Sequence, residues 1–231
     1  MQHWQPNSIE PDGMAQVVVG QLGQSLDGQI ATSTGCSKYI NGPSGLKHLH
    51  MLRAWADAVI VGVGTVIEDN PRLTVRTVSG ENPMRLVLDP KGRAPANATL
   101  MTDQAARTVV LRAVGATSNS LPSTVEEIRL ADSDGQLAPA AVLDWLAGQG
   151  CQRVLVEGGP ATLAGFLAAQ CVDHLHLLTS AVLLGMGKPG LNQPSLSSLA
   201  QARRFRATAH LLGDDLLLAC DLRQRLTEGE A

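Results

Sequence analysis

The chain has 231 residues, of which 44% are hydrophobic and 17% charged, so it can bury a core and is too apolar to be intrinsically disordered. Its net charge of −3 and the lack of a Lys/Arg stripe argue against nucleic acid as a partner. No apolar run reaches the ~20 residues of a membrane helix, and the scattered cysteines lack the paired spacing of a zinc site or a disulfide framework. We therefore expect a cytoplasmic protein with no membrane contact and no metal.

The order of elements along the chain predicts an α/β fold. Residues 1–14 are polar, lack the apolar segment of a signal peptide and predict a flexible tail ahead of one domain over residues 15–225. Short β-branched runs then alternate with helical segments. The predicted strands are Val17–Gln21, Ala58–Val63, Arg85–Leu88, Thr108–Leu111, Glu127–Leu130, Arg153–Val156, His174–Leu178 and Leu216–Cys220. The predicted helices are Leu46–Trp55, Pro139–Ala147 and Ala161–Ala169, and a surface loop is predicted over Gly185–Pro194.

The first predicted helix carries a charged residue close to its apolar side. At 100° per residue, the inward stripe consists of Leu46, Leu49, Leu52 and Ala56. Arg53 follows Leu46 by seven positions and therefore projects within about 20° of it. A buried guanidinium needs an anion or a hydrogen-bond partner. Arg53 is either an anion ligand or an arginine that reaches water or a structural carboxylate from the edge of the stripe.

The strand Ala58–Val63 leads into a turn with two glycines. The turn fails the full G-x-G-x-x-G pattern, because Ile67 occupies the place of the third glycine. Thr65 and Glu68 have the spacing of a capping box, which predicts the start of a short helix and is enough to explain Thr65. The alternative is that the glycines let a ligand approach the backbone closely.

A second glycine-rich segment follows the strand Arg153–Val156. Gly158 and Gly159 precede Pro160, which suits the first position of a helix. The N–H groups of such a helix start can bind phosphate or pyrophosphate. Glu157, at the strand end, would repel phosphate, so we expect it to meet N–H donors such as those of a heterocycle. The alternative is a tight turn with an exposed glutamate.

Three blocks, taken in order, carry a resemblance to a known family. They are Ser25-Leu-Asp-Gly28-Gln-Ile-Ala-Thr-Ser33, Gly62-Val-Gly-Thr-Val-Ile-Glu-Asp-Asn-Pro-Arg-Leu-Thr-Val-Arg76 and Val156-Glu-Gly-Gly-Pro160. Together they resemble the reductase family of riboflavin biosynthesis, the C-terminal half of the bifunctional deaminase–reductase, from about Val17 onward. The resemblance implies a dihydrofolate-reductase-like α/β domain, with one central, mostly parallel mixed sheet flanked by helices, and a homodimer.

The resemblance also implies roles for individual residues, although it assigns no catalytic residue. The substrate's ribose phosphate would be surrounded by Ser37, Arg53, Leu73 and Arg76, and its pyrimidine or ribityl side would meet Glu157. An NADPH site would be lined by Gly23, Tyr39, Thr65, Asp69, Gly159, Pro160, Ala161, Thr162 and Leu163. From its position just after a strand, we further predict that Arg112 binds the 2′-phosphate that distinguishes NADPH from NADH.

The implied activity is the NADPH-dependent reduction of a ribosylaminopyrimidine 5′-phosphate, 5-amino-6-ribosylaminouracil 5′-phosphate, to its ribityl form. Two features depart from the family pattern. Gln21 stands where the family usually has a lysine, four residues before Ser25, and it cannot act as an ammonium. The H-x-E and P-C-x-x-C signatures of a zinc deaminase are missing, which predicts a stand-alone reductase.

Gln21 leaves two alternatives open. One is a reductase of the same fold that acts on a pterin, a folate or another heterocycle. The other is a non-catalytic relative that binds NADPH.

Overall fold

A nine-stranded sheet organises the protein. The computed structural model describes residues 15–38, 40–117 and 119–225, together with Ile9, Pro11 and Gly13. The strands are β1 Val17–Ser25, β2 Gln29–Thr32, β3 Ala58–Gly62, β4 Met84–Leu88, β5 Thr108–Ala113, β6 Val125–Leu130, β7 Asp132–Ser133, β8 Gln136–Leu137, β9 Arg153–Glu157, β10 His174–Ser180, β11 Gly187–Pro189, β12 Phe205–Leu212 and β13 Asp215–Arg225. The helices are α1 Pro43–Trp55, α2 Val63–Asp69, α3 Thr99–Thr102, α4 Pro139–Gly148 and α5 Pro160–Ala168. In this part of the chain, none of them has the length and apolar character needed to cross a bilayer.

The strand order in the main sheet is β12-β13-β10-β1-β9-β3-β4-β5-β6. The strands from β10 to β6 all run parallel, and β13 and β12 extend the sheet antiparallel at one edge. The predicted central, mostly parallel mixed sheet is therefore confirmed. Strand β9, late in the chain, is inserted between β1 and β3, so the connections leave in opposite directions at this point.

Both faces of the sheet are covered, which explains why its central strands are continuous apolar runs rather than alternating ones. Val19 and Leu155 point to a core shared with Leu52 and Trp55 of α1. The alternate strand residues face α4 and α5, where Phe166 belongs to the second core. These two layers of helices are typical of an α/β domain.

Helix α5 packs closely on β1 because β1 lacks a side chain at the point of contact. A Cβ atom on Gly20 would come within 2.6 Å of Leu163 Cδ1. Leu163 itself is fully buried in this core. The glycine therefore fixes how near the start of α5 lies to the central strands.

Every predicted strand and helix is present, whereas the expectations for Leu46 and for the loop Gly185–Pro194 are wrong. Leu46 does not belong to an inward stripe: it is 43% exposed, because α1 turns Gly45, His48 and Leu52 towards the sheet instead. The predicted surface loop Gly185–Pro194 contains β11, which pairs antiparallel with β2 outside the main sheet.

The predicted tail lies mostly outside the described residues. Ile9 is described, and its side chain is buried in the α1-side core. The indole Nε1 of Trp55 donates a hydrogen bond of 3.0 Å to the Ile9 carbonyl oxygen. At this position the segment ahead of β1 is held against α1.

Candidate functional site

The carboxyl ends of the central strands border a cleft of about 510 Å³ beside α1 and α2, which we call the α1 cleft. Open α/β sheets bind ligands at this edge, at the place where connections leave in opposite directions. The insertion of β9 between β1 and β3 creates such a place. Residues of the cleft wall include Gln21, Gly23, Ser37, Asn41, Leu46, Thr65, Asp69, Leu73, Glu157, Gly158 and Lys188.

A second cleft of about 590 Å³ lies between the starts of α2 and α5 and the loop after β4; we call it the α5 cleft. It shares Thr65, Glu68, Gly159 and Pro160 with the α1 cleft. Two ligands placed in the two clefts would therefore meet at this shared wall.

A buried ion pair lies at the α1 cleft. Arg53 Nε donates a 2.8 Å hydrogen bond to Glu157 Oε2, and Arg53 Nη2 donates to Oε1 of the same carboxylate. Arg53 Nη1 donates to the Thr74 carbonyl oxygen at 3.1 Å. Arg53 is 5% exposed and Glu157 7%, so each buried charge is compensated by the other rather than by water. Arg53 does point inward as predicted, and its partner is a protein carboxylate.

The region around the Arg53–Glu157 pair, which we call the arginine corner, has an excess of positive charge because Arg72 and Arg76 lie nearby. Arg76 Nη1 donates to Thr74 Oγ1 at 2.9 Å and forms no ion pair with the described carboxylates. Partial loss of solvent around its guanidinium lowers the pKa of Arg76, and so do the nearby charges of Arg53 and Arg72. Burial also lowers the pKa of His50 to about 4, again with help from Arg53 and Arg76. An anion would be attracted to this corner.

Asp69 and Ser37 meet on the wall of the α1 cleft. Burial, followed by the neighbouring Glu68, raises the pKa of the Asp69 carboxyl, and a hydrogen bond with Ser37 acts in the opposite direction. Asp69 ends α2, and Ser37 belongs to the loop after β2. The sequence separates these two residues by a helix and a strand, and the fold brings them together.

The start of α5 forms the shared wall of the two clefts. Gly158 and Gly159 have φ values of +85° and +63°, which side chains rarely adopt, and Pro160 is the first helical residue. No side chain caps this helix, so its first N–H groups have no intrahelical partner and can receive an anion. The turn therefore offers backbone N–H groups to an anionic group.

The predicted capping box at Thr65 is wrong. Helix α2 begins at Val63 with Gly62 as its extended N-cap and no side-chain cap, so Thr65 already lies inside the helix. A Cβ atom on Gly159 would come within 3.1 Å of the Thr65 hydroxyl oxygen. Thr65 thus packs against the glycine turn of α5.

A small flap covers one side of the α1 cleft. It consists of β2 and β11, and Lys188 Nζ on β11 lies 2.9 Å from Glu68 Oε2 on α2. Asp27 ties the turn before β2 to the segment after β10, since its carboxylate accepts hydrogen bonds from Ser25 Oγ at 2.6 Å and Gly185 N at 2.7 Å. Sequence reasoning did not assign Lys188 or Glu68 to the site, and nothing in their local spacing indicates this contact.

The prediction that Arg112 binds a 2′-phosphate is wrong. Its side chain is fully buried, with Glu127 Oε2 at 2.8 Å and Asp89 Oδ2 at 3.7 Å. Asn119 accepts further hydrogen bonds from the same guanidinium. These groups enclose Arg112 inside the fold, away from both clefts.

Comparisons with known proteins agree with this architecture. The family model described as the RibD C-terminal domain matches residues 16–214. The protein is a member of the RibD C-terminal domain family. The 2,5-diamino-6-ribosylamino-4(3H)-pyrimidinone 5′-phosphate reductase of Methanothermobacter thermautotrophicus is 30% identical over 217 residues, which cover 89% of this chain and 97% of that protein.

Solved structures support the same family and fold. A diaminohydroxyphosphoribosylaminopyrimidine deaminase/5-amino-6-(5-phosphoribosylamino)uracil reductase from Thermotoga maritima superimposes with a TM-score of 0.77 at 29% identity, over 90% of this chain and 56% of that one. This chain thus spans little more than half of that larger protein. Dihydrofolate reductase from Enterococcus faecalis, at 10% identity, has a TM-score of 0.53 over 91% of this chain and 97% of that one, and shows the fold alone.

The residues assigned through the RibD resemblance fall into three groups in the structure. Eight lie on the wall of the α1 cleft: Gly23, Ser37, Thr65, Asp69, Leu73, Glu157, Gly159 and Pro160. Ala161 and Thr162 lie on the wall of the α5 cleft. Arg53, Arg76 and Leu163 lie on neither wall, and Tyr39 is outside the described residues.

Proposed function

We propose that this RibD-family chain reduces a ribosylaminopyrimidine 5′-phosphate to its ribityl form with NADPH. The observation that carries the proposal is the pair of clefts that share the wall at Gly159 and Pro160, where a reductant and a substrate can meet. The named activity of the Methanothermobacter relative, which this chain covers almost completely, supports the substrate class.

The substrate phosphate is proposed to bind at the arginine corner. Arg76 has no carboxylate partner among the described residues, so its guanidinium can bind a phosphate through charge-assisted hydrogen bonds. Arg53 contributes positive charge while it remains paired with Glu157. Ser37 and Leu73, on the cleft wall, complete the proposed contacts.

NADPH is proposed to lie along the α5 cleft and to reach the shared wall. The uncapped start of α5, with Ala161 and Thr162, suits its pyrophosphate. Gly23, Thr65 and Asp69 would meet its other end in the α1 cleft. The residues present therefore fit the cofactor that the resemblance implies.

We propose Lys91 and Arg93 as the ligands of the 2′-phosphate, in place of Arg112. Both lie on the wall of the α5 cleft, in the loop after β4, and both side chains are exposed. In the described part of the chain neither cation has a carboxylate partner or a side-chain hydrogen bond. Replacing both with alanine is expected to raise the KM for NADPH and to leave the KM for NADH unchanged.

When bound, NADPH would supply the hydride that adds to C1′ of the ribosylamine, while the C1′–O4′ bond of the sugar breaks and O4′ takes up a proton. The contribution of the chain is to bind and orient the reactants at the shared wall, where proximity lowers the barrier. The flap of β2 and β11, held to α2 by Lys188 and Glu68, limits access of water from one side.

We also propose a cytoplasmic homodimer. The outer face of the antiparallel edge supports the dimer: Leu177, Leu218 and Ala209 occupy matched positions across β10, β13 and β12, and none is fully buried. Leu211, on the same face, is 58% exposed. Light scattering at micromolar concentration is expected to give twice the monomer mass, and Leu211→Glu is expected to shift it towards the monomer.

The deciding experiment follows NADPH oxidation by the purified protein with 5-amino-6-ribosylaminouracil 5′-phosphate and, separately, with its 2-amino counterpart. NADH and the dephosphorylated substrates serve as controls. Turnover that requires the phosphate and prefers NADPH would establish the proposal, and the ratio between the two substrates would identify the ring. A folded protein that binds NADPH and turns over neither substrate would refute it.

A further inference from the structure

Gln21 is a buried polar residue on the wall of the α1 cleft, and the proposed function assigns it no role. It is the middle residue of β1, is 6% exposed and belongs to the cleft wall. Register pairing places it directly opposite Glu157 of β9 on one side and His176 of β10 on the other. Paired residues share a face of the sheet, so these three side chains form one row.

The two neighbours of Gln21 already have partners. The oxygens of Glu157 accept hydrogen bonds from Arg53. His176 Nδ1 lies 3.1 Å from His48 Nε2. Across residues 15–38, 40–117 and 119–225, the side chain of Gln21 has no hydrogen bond, although it is more than nine-tenths buried. Its amide atoms keep access to solvent in the cleft, and a ligand that offers both a donor and an acceptor can replace the water there.

The surroundings of Gln21 select for a neutral group. The charges of Arg53 and Glu157 cancel locally. Burial lowers the pKa of His48 to about 4 and that of His176 well below its usual value, so both rings are neutral near pH 7. A carboxamide offers one acceptor and two donors, which complement an adjacent N–H and C=O on a ring. A phosphate would find only the two amide donors on this side chain, since Arg76, which supplies the excess positive charge, is not part of the cleft wall.

We propose that Gln21 binds the lactam edge of the substrate's pyrimidinone ring, with Nε2 donating to the ring carbonyl and Oε1 accepting from the adjacent ring N–H. The inference rests on the proposed function, and it makes Gln21 a specificity-determining residue. Both candidate substrates carry this edge, so Gln21 does not discriminate between them. It discriminates against rings in which the edge is alkylated or absent.

The test compares Gln21→Met and Gln21→Glu with a matched control, Gln24→Met. Gln24 is a half-buried glutamine on the same strand and lies outside the α1 cleft. Removing both amide hydrogen bonds is expected to lower kcat/KM by about ten- to hundredfold, mainly through KM. The Kd for NADPH, measured by fluorescence titration, is expected to stay unchanged. Gln21→Glu keeps an acceptor and loses the donor, so an intermediate loss is expected.

Turnover by the wild-type protein tests the proposed function, and the ratio of variant to wild type tests the inference. If the wild type is inactive, calorimetric binding of 5,6-diaminouracil, which carries the lactam edge without ribose or phosphate, replaces the kinetic readout. Weaker binding to both Gln21 variants, with normal binding to Gln24→Met, supports the inference. Equal binding to all three folded variants, or a parallel loss of NADPH binding, overturns it.

Discussion

Two buried arginines, Arg53 and Arg112, invite the same interpretation from sequence and differ in their surroundings. Arg112 is fully buried between Asp89 and Glu127, and Glu127 also pairs with Arg129, so two carboxylates balance two cations. Arg53 has one carboxylate, Glu157, and stands in a corner where the charges of further arginines act on each other. The burial of an arginine therefore does not identify a ligand site. The local balance of charge, together with an adjoining cleft, is the informative property.

Arg112→Met is expected to give the largest effect of this comparison, and the effect is on stability. It leaves the fully buried Asp89 without its cation, while Glu127 keeps its pair with Arg129, and breaking a buried pair costs about 3–5 kcal/mol. Urea unfolding measures this loss. Arg107→Met is the control, because its pair with Glu126 is exposed and worth at most about 1 kcal/mol. Equal losses in the two variants would mean that Arg112 is not the structural arginine described here.

Arg53→Met is expected to affect both stability and substrate binding. It leaves the Glu157 carboxylate without a cation, but water in the α1 cleft can solvate that group. A smaller loss of about 1–3 kcal/mol in the free energy of unfolding is therefore expected. The KM for substrate is expected to rise while the Kd for NADPH stays close to that of the wild type. If both binding constants deteriorate together, the phosphate assignment is wrong. The double variant Arg53→Met/Glu157→Gln should recover part of the stability.

Arg76→Ala is expected to separate binding from stability. The side chain is exposed and has no ion pair with the described carboxylates, so the free energy of unfolding should change by less than about 0.5 kcal/mol. Loss of one charge-assisted contact should lower kcat/KM for the phosphorylated substrate by about ten- to thirtyfold. Activity on a dephosphorylated substrate should not change. A similar loss on both substrates would place the phosphate elsewhere.

The smallest expected effect is a shift in the pKa of His50 when the charge of Arg76 is removed. Its pKa is about 4 in the folded protein, and an unfolded histidine titrates near 6.5, so the unfolded state binds the proton more readily. The contribution of His50 therefore lowers the free energy of unfolding as pH falls from about 6.5 to about 4, and it adds nothing further below that. Removing the Arg76 charge should raise the pKa of His50 and reduce this loss. Proton NMR of the imidazole measures the pKa, and Arg107→Met should leave it unchanged.

Much of the fold follows from sequence because the parallel strands are buried on both faces. Runs such as Ala58-Val-Ile-Val indicate such strands directly. Strand β12 was not predicted, because it is not buried on both faces. Most of its side chains are exposed at the sheet edge, and Phe205–Leu212 therefore shows neither a continuous apolar run nor a clear alternation.

The site was predictable where it depends on local geometry and not where it depends on tertiary pairing. Glu157 and the glycines after it follow a strand, and this position alone indicates a ligand edge. The contact between Arg53 and Glu157 joins residues 104 positions apart, and the register of Gln21 with Glu157 depends on the insertion of β9. Neither relation leaves a periodic signal in the sequence.

The position of β9 has a consequence for how the protein is made. A ribosome releases β1 and β3 long before residues 153–157, so both strands present open backbone edges while the remainder is synthesised. Long-range pairing of this kind is slow, and open edges can pair with other chains. The two halves of the sheet join only when β9 fills the gap, and the same event brings Glu157 to Arg53. Ligand-binding competence therefore depends on a late step of biogenesis, and the edge strands β10, β12 and β13 are synthesised after β9.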